Sequence, residues 1–280
     1  MLKKCIDFFL FSSFFIAICA VLMSFQAISL FSLSLPVFDF LSFVFFSTAC
    51  SYNFHWYLSR HSNSDNERIQ WTKKHAGFQL TAMILSGICA LYYAFQLFDY
   101  WFWLMIAVIL TFLYSAPKLP FPVFHKLRSI AVGKTIFLSF VWTYVTTMLP
   151  MLISDKVTGQ QEIFYTVQRF FLVYAICILF DYRDRKEDKE AGIRTLITNL
   201  PEKGIDKLFY GSIMAFAVFS MLLYWENTSV LVALILFIPG IITFFLYPFA
   251  KKNHSDYFYY GVLDGLMMLS AIFTSLLRIQ

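Results

Sequence analysis

Three aspartates stand at the end of a long apolar stretch of the chain, at Asp181, Asp184 and Asp188. On a helix, offsets of three and four residues place side chains along one stripe of the surface. Carboxylates so close together repel one another unless a cation lies among them, and proteins usually hold Mg²⁺ with carboxylates and substrate phosphates. The spacing therefore predicts a Mg²⁺ site for a phosphorylated ligand. The alternative is a solvated helix end cross-linked by salt bridges, as most charge runs are.

Other charged residues extend this prediction. Arg185 and Lys186 lie on other faces of the same helical turns, and Lys134 follows Gly133 at the start of the preceding apolar segment. We expect all three to contact phosphate, although lysines near a membrane surface also extend to lipid headgroups. Asp264 lies inside the last apolar segment, and an ionisable residue at membrane depth is a candidate functional residue. The alternative interpretation is that Asp264 forms a hydrogen bond to a neighbouring helix and has a packing role.

The composition is that of an integral membrane protein. Of the 280 residues, 59% are hydrophobic and 14% are charged, whereas soluble domains carry about a quarter charged residues. The long apolar runs indicate helices of about 20 residues rather than the short alternating strands of a barrel. We predict a single all-α domain, 1–280, with nine membrane helices at 8–31, 36–58, 76–97, 99–116, 130–153, 162–182, 207–225, 229–249 and 257–277.

The distribution of basic residues predicts the orientation. If the N-terminus lies in the cytoplasm, 19 of the 22 Lys and Arg fall on that side, as the positive-inside rule expects. We therefore predict a multi-pass protein of the bacterial inner membrane, with its N-terminus inside and its C-terminus outside. This bias accounts for the net charge of +5, so nucleic acid is not expected as a partner, and no obligate protein partner is evident. The five cysteines form no CxxC pair and predict no zinc site.

Two motifs resemble a known family. The stretch DYRDRKEDKEAGIRTL, which begins at Asp181, resembles the second aspartate-rich motif of the UbiA superfamily of intramembrane prenyltransferases, and YSAPK, from Tyr114 to Lys118, resembles its YxxxK motif. The resemblance implies nine transmembrane helices around a central cavity that opens to the cytoplasmic side. It implies that an isoprenyl diphosphate binds through Mg²⁺ and loses diphosphate, and that a lipid-soluble acceptor, usually aromatic, attacks the resulting carbocation.

By this resemblance the site residues have distinct roles. Asp181, Asp184 and Asp188 would be the metal ligands, and Lys118 and Tyr114 would lie beside the diphosphate. Metal ions and lysine both stabilise the charge that grows on a leaving phosphate. The candidate catalytic residues are thus Lys118, Tyr114 and Asp264, and the candidate ligand-binding residues are Asn53, Lys134, Arg185 and Lys186.

The chain departs from the family in the first aspartate-rich motif, NDxxDxxxD. Asn53 matches the asparagine, but Phe54, Tyr57 and His61 stand where the aspartates would be. None is a good ligand for Mg²⁺, which prefers oxygen. Three interpretations follow: the site holds one metal fewer with basic groups in its place, it takes a different substrate, or it lacks catalysis. The alternative function is a non-catalytic protein of the same fold that binds a polyprenyl or quinone-like lipid.

Two other classes of membrane protein fit the sequence less well. CDP-alcohol phosphotransferases need DGxxAR followed by further aspartates, and the stretch after Asp181 lacks both the early glycine and the Ala-Arg pair. Secondary transporters favour helices that are broken near the membrane midplane. Pro150 and Pro239 interrupt two segments, but no paired half-repeat accompanies them.

Overall fold

The structure, a computed structural model, describes residues 2–61, 66–119, 133–154, 156, 158–190, 195–226 and 228–277. Helices make up nearly all of this part of the chain. In chain order they are α1 (Leu2–Phe11), α2 (Phe14–Leu30), α3 (Val37–Ser59), α4 (Glu67–Lys74), α5 (Ala76–Gln96), α6 (Trp101–Ser115), α7 (Lys134–Thr143), α8 (Leu149–Ile153), α9 (Gln160–Glu190), α10 (Leu196–Asn199), α11 (Glu202–Trp225), α12 (Val230–Ala250) and α13 (Asp264–Leu276).

The predicted membrane architecture is confirmed. Among the described residues, 8 helices are long and apolar enough to cross a membrane, and counting α1 and α2 together as one bent span brings the total to 9. The first predicted segment, 8–31, is not one straight helix, because α1 and α2 meet at an angle of 56°. The bend lies at Ser13, whose φ of 70° is left-handed and interrupts the helix. The predicted start of the fifth segment, 130–132, lies outside the described residues.

The central helix of the bundle is α9. Every side chain from Leu172 to Leu179 is buried, and α9 packs against α7, α11 and α12. Its 31 residues would span about 46 Å at the usual rise of an α-helix, which exceeds the hydrocarbon thickness of about 30 Å. The helix therefore continues through Asp181–Glu190 without interruption and carries the acidic residues beyond the apolar part of the bundle. We call this end of the bundle the charged end.

Two spans contain a π-helical turn, the feature that often marks functional positions in helices. Tyr144–Met148 joins α7 to α8 just before Pro150, where the missing N–H of proline interrupts the regular ladder. Phe258–Leu263 leads into α13. There the extra residue in the turn lets the adjacent side chains of Tyr259 and Tyr260 both be buried. The turn also sets the face on which the next residue of α13, Asp264, lies.

Candidate functional site

A cavity of about 1090 Å³ opens at the charged end. It is as large as the biggest small-molecule sites, which range from about 300 to 1,000 Å³. Its walls come from α3, the end of α6, α7, α9 and α13. Charged side chains line its mouth, and aromatic and aliphatic side chains line its floor. This arrangement suits a ligand with an anionic head and an apolar body.

The three predicted aspartates line the mouth and have different partners. Asp181 is buried and accepts a hydrogen bond from the hydroxyl of Thr135. Asp184 accepts from Nε of Arg183 at 2.7 Å. The Oδ2 atom of Asp188 is buried without a hydrogen-bond partner among the described residues. The carboxylate of Asp188 thus retains acceptor capacity that a cation or an N–H donor could fill.

Opposite these carboxylates lies a second cluster, centred on Lys118. Its ammonium is 2.6 Å from Nε2 of His55 and 2.5 Å from the hydroxyl of Ser59. Because an ammonium only donates, Nε2 of His55 accepts, and its Nδ1–H is left to donate to Ser115 at 3.3 Å. The imidazole also stacks on the ring of Tyr114, with centroids 5.3 Å apart. This wall of the cavity, formed by α3 and the end of α6, therefore carries a lysine at the place where the family motif would put aspartates.

A third cationic side chain, Lys134, lies at the first residue of α7 and lines the cavity. The neighbouring Thr135 is the residue that donates to Asp181, so the first turn of α7 faces the acidic stripe. The free N–H groups at a helix N-terminus favour negative charge. Lys134 and the helix end therefore add positive potential between the acidic stripe and Lys118.

An ionic cluster that the sequence analysis missed ties the charged end together. Asp256 is buried; it accepts from the backbone N–H of Arg68 at 2.7 Å and from Nη1 of Arg183 at 3.2 Å. Nη2 of Arg183 donates to the hydroxyl of Tyr260 at 3.0 Å, and the guanidinium of Arg68 lies 4.1 Å from the ring centre of Trp56. Burial raises the pKa of Asp256, which the N–H of Arg68 and the charge of Arg183 partly offset. The only sequence signal for this cluster was an acidic residue just before the last span.

The floor of the cavity carries Asp264. It lies together with Tyr52, Trp142, Cys177 and Met267 on the lining of the same cavity. Nε1 of Trp142 donates to the hydroxyl of Tyr52 at 3.0 Å, which fixes the two rings across the gap between α3 and α7. Asp264, which the sequence analysis singled out as an ionisable residue inside the last span, thus lines this cavity.

Two predicted residues lie away from the cavity. Asn53 is buried against the bend between α1 and α2, where its amide donates to the carbonyls of Ser12 and Ala49. Arg185 turns outward and donates to Glu202 and to the carbonyl of Leu200. By contrast, Lys186 lines the cavity with the other predicted residues. Asn53 therefore has a packing role in this structure, and Arg185 joins α9 to α11.

The acidic half of the site fits Mg²⁺ and the opposite half does not. Within the described ranges, no three His, Cys, Asp or Glu side chains are close enough together to hold a metal ion by themselves. Mg²⁺ is commonly held by one or two carboxylates and completed by substrate phosphates and water, and the unpartnered oxygen of Asp188 beside Asp181 suits that arrangement. On α3, the positions of the missing aspartates hold Phe54 and Tyr57, and the wall presents His55 and Lys118 instead.

Comparisons with known proteins were made for both sequence and structure. No family model and no curated protein sequence matches the chain. A solved structure of a UbiA homologue from Archaeoglobus fulgidus bound to GPP and Mg²⁺ superimposes with a TM-score of 0.64 at 17% identity over 94% of both chains. The same homologue bound to DMAPP and Mg²⁺ gives a TM-score of 0.61 at 16% identity over 96% of both chains.

The fold and the site together define the class of protein. The chain is an all-α, multi-pass membrane protein with the UbiA fold along nearly its whole length. The family resemblance that two short motifs indicated is thus confirmed at the level of the fold, in a strongly diverged sequence. At this identity the structural match describes architecture, and the chemistry must be argued from the cavity.

Proposed function

We propose that the protein is a Mg²⁺-dependent prenyltransferase-like enzyme that transfers an isoprenyl group from an isoprenyl diphosphate to a lipid-soluble, aromatic acceptor. One observation carries this proposal. A single large cavity brings the acidic stripe of α9, Lys118 and Lys134 to its mouth and an apolar, aromatic surface to its floor. The two UbiA homologue structures, which hold GPP or DMAPP with Mg²⁺, support the same class of ligand.

The residues of the mouth bind the diphosphate. Asp181 and Asp188, with Asp184 beside them, would hold Mg²⁺, which would neutralise the charge that grows on the leaving diphosphate. Lys118 contacts the diphosphate directly from the opposite wall, since His55 and Ser59 hold its ammonium at the cavity. Lys134 and Lys186 add positive charge at the same end. Direct contact with basic side chains takes the place of the metal that the first aspartate-rich motif would hold.

The chemistry follows from this geometry. The allylic C–O bond of the donor breaks, and its electron pair leaves with the diphosphate. The resulting carbocation lies among aromatic faces, including those of Tyr114 and Trp56, whose quadrupoles stabilise positive charge. A bond forms between the isoprenyl carbon and the acceptor, and the acceptor loses one proton to the carboxylate of Asp264.

A second candidate function is a non-catalytic protein that binds a polyprenyl or quinone-like lipid in the same cavity. The observation that favours it is the loss of carboxylates on α3, where Phe54 and Tyr57 stand at aspartate positions. A neutral lipid would use the apolar floor and would not need the acidic stripe. The two functions therefore differ in whether binding depends on Mg²⁺ and on the aspartates.

Binding of geranyl diphosphate to the purified chain separates the two functions. Titration calorimetry should show binding with Mg²⁺ and its loss with EDTA. Asp188→Ala and Asp184→Ala should abolish the Mg²⁺-dependent part, whereas Asp39→Asn, which removes a carboxylate at the far end of α3, should bind as the wild type does. Binding that neither EDTA nor either alanine variant changes would exclude the enzyme proposal and favour the lipid-binding one.

A further inference from the structure

The carboxyl group of Asp264 occupies an unusual position in the cavity. The residue is 8% exposed, and it lines the same cavity as Tyr52, Trp142 and Met267. Asp256, at the level of the mouth, precedes it by eight residues, and the π turn Phe258–Leu263 lies between the two, so Asp264 lies further along this span, away from the mouth. Among the described residues, no side chain or backbone N–H hydrogen-bonds to it.

Neither of the two nearby cations hydrogen-bonds to Asp264. The charges that act most on Asp264 are those of Arg68 and Arg183, and both direct their hydrogen bonds elsewhere. Arg68 donates to Leu10 and Ser13, and Arg183 donates to Asp184 and to Tyr260. A polar group at membrane depth is costly without a partner. The geometry therefore points to a partner supplied by a ligand.

The chemistry of a carboxyl group limits what that partner can be. A hydroxyl both donates and accepts hydrogen bonds, so it satisfies Asp264 whether or not the aspartate is ionised. A carboxylate on the ligand would repel ionised Asp264.

We propose that Asp264 selects the acceptor, by binding the hydroxyl of a neutral, lipid-soluble phenol or alcohol and excluding aromatic carboxylic acids. This inference rests on the proposed function, because it assigns the acceptor side of the same cavity. The donor and the acceptor then occupy separate levels, with the diphosphate at the charged mouth and the acceptor hydroxyl at the floor. Trp142 and Tyr52, fixed by their mutual hydrogen bond, provide the apolar wall against which the acceptor ring packs.

Two probes that differ only in charge test the selection. Methyl 4-hydroxybenzoate and 4-hydroxybenzoate share their ring and hydroxyl, and titration calorimetry near neutral pH gives a dissociation constant for each with the full chain in detergent. We expect the ester to bind about tenfold or more tightly than the acid, a difference typical of one unfavourable charge contact. Equal binding of the two probes, or tighter binding of the acid, would overturn the proposal without any variant being needed.

Variants show whether Asp264 is the cause. Asp264→Asn keeps a side chain that can hydrogen-bond the ligand hydroxyl, but it removes the charge. The preference for the ester should therefore shrink to the level that the apolar floor alone imposes. In Asp264→Leu the ester itself should bind about fivefold to tenfold more weakly, the usual cost of one lost hydrogen bond. Asp39→Asn is the matched control and should keep the wild-type preference. A preference that is unchanged in Asp264→Asn would refute the role of this residue.

The same samples separate this inference from the proposed function. Titration with geranyl diphosphate and Mg²⁺ reports on the mouth alone. If the diphosphate fails to bind, the proposed function fails whatever the ester and acid do. If the diphosphate binds and the two phenols bind alike, only the role of Asp264 is refuted.

Discussion

Replacement of Lys118 by glutamine tests the assignment of the α3 wall as a basic contact for diphosphate. The ammonium of Lys118 lies within hydrogen-bond distance of His55 and Ser59 at the cavity wall. Glutamine removes the charge and keeps a polar side chain that is one atom shorter. A hydrogen bond to a charged group contributes about 1.5–3 kcal/mol. Since Lys118 is an exposed residue, water screens it and the lower value applies, which corresponds to about a tenfold rise in the dissociation constant.

The assay is titration calorimetry of the full chain with geranyl diphosphate at constant Mg²⁺ and several salt concentrations. The wild-type affinity should fall as salt is added, because charges are screened over about 8 Å at physiological ionic strength, and the Lys118→Gln variant should depend less on salt. Lys203→Gln is the matched control, since Lys203 lies at the start of α11 and does not line the cavity. An equal loss in both variants, or an affinity for Lys118→Gln within about twofold of wild type, would refute a direct contact.

Replacement of His55 tests whether this residue positions Lys118 or contacts the ligand itself. His55→Phe keeps a ring that can stack on Tyr114 and removes the nitrogen that accepts from Lys118. We expect a smaller loss than for Lys118→Gln, about threefold in the dissociation constant, because the lysine keeps its bond to Ser59. A loss in His55→Phe that persists in a Lys118→Gln background would mean that His55 contacts the ligand itself.

Three further changes test the fold and the orientation. Asp256→Asn should lower the stability in detergent by about 3–5 kcal/mol in thermal unfolding, because the guanidinium of Arg183 on α9 loses a buried ion pair; an unchanged midpoint would contradict this. Gly240→Ala should destabilise by about 1–3 kcal/mol, since its Cβ would overlap the ring of Phe216, whereas Gly211→Ala meets no atom within 4 Å and should be neutral or stabilising. The exposed thiol of Cys5 should react with a membrane-impermeant maleimide only when the cytoplasmic face is open, and labelling from outside would reverse the predicted orientation.

Much of the architecture follows from the sequence because a membrane restricts what an apolar chain can do. Runs of about 20 apolar residues must form helices, since lipid offers the backbone no hydrogen-bond partners. The spacing of Asp181, Asp184 and Asp188 likewise fixed their common stripe, because α9 continues without a break through all three. Periodicity was sufficient here because each inference concerns a single helix.

Contacts between distant parts of the chain could not be read from the sequence in the same way. Asn53 matches a family motif, yet its side chain turns to Ser12 at the bend between α1 and α2, which depends on the left-handed residue Ser13. Arg185 shares turns with the acidic stripe, but the position of Glu202 on α11 draws it outward. The side chain of each residue could have turned to either of two sides, and contacts with a neighbouring part of the chain determined its direction.

The sequence by itself determined that this is a helical membrane protein with an acidic cluster at one end and an ionisable residue inside its last span. Only the tertiary structure decided that Lys118 lies against His55 and that Asp264 reaches the same cavity as the aspartates. The physical reason is that hydrophobic pattern fixes which segments are buried in lipid, whereas a cavity forms where several helices diverge. Their packing, and the π turn Phe258–Leu263 that sets the face of Asp264, depend on side chains far apart in the chain.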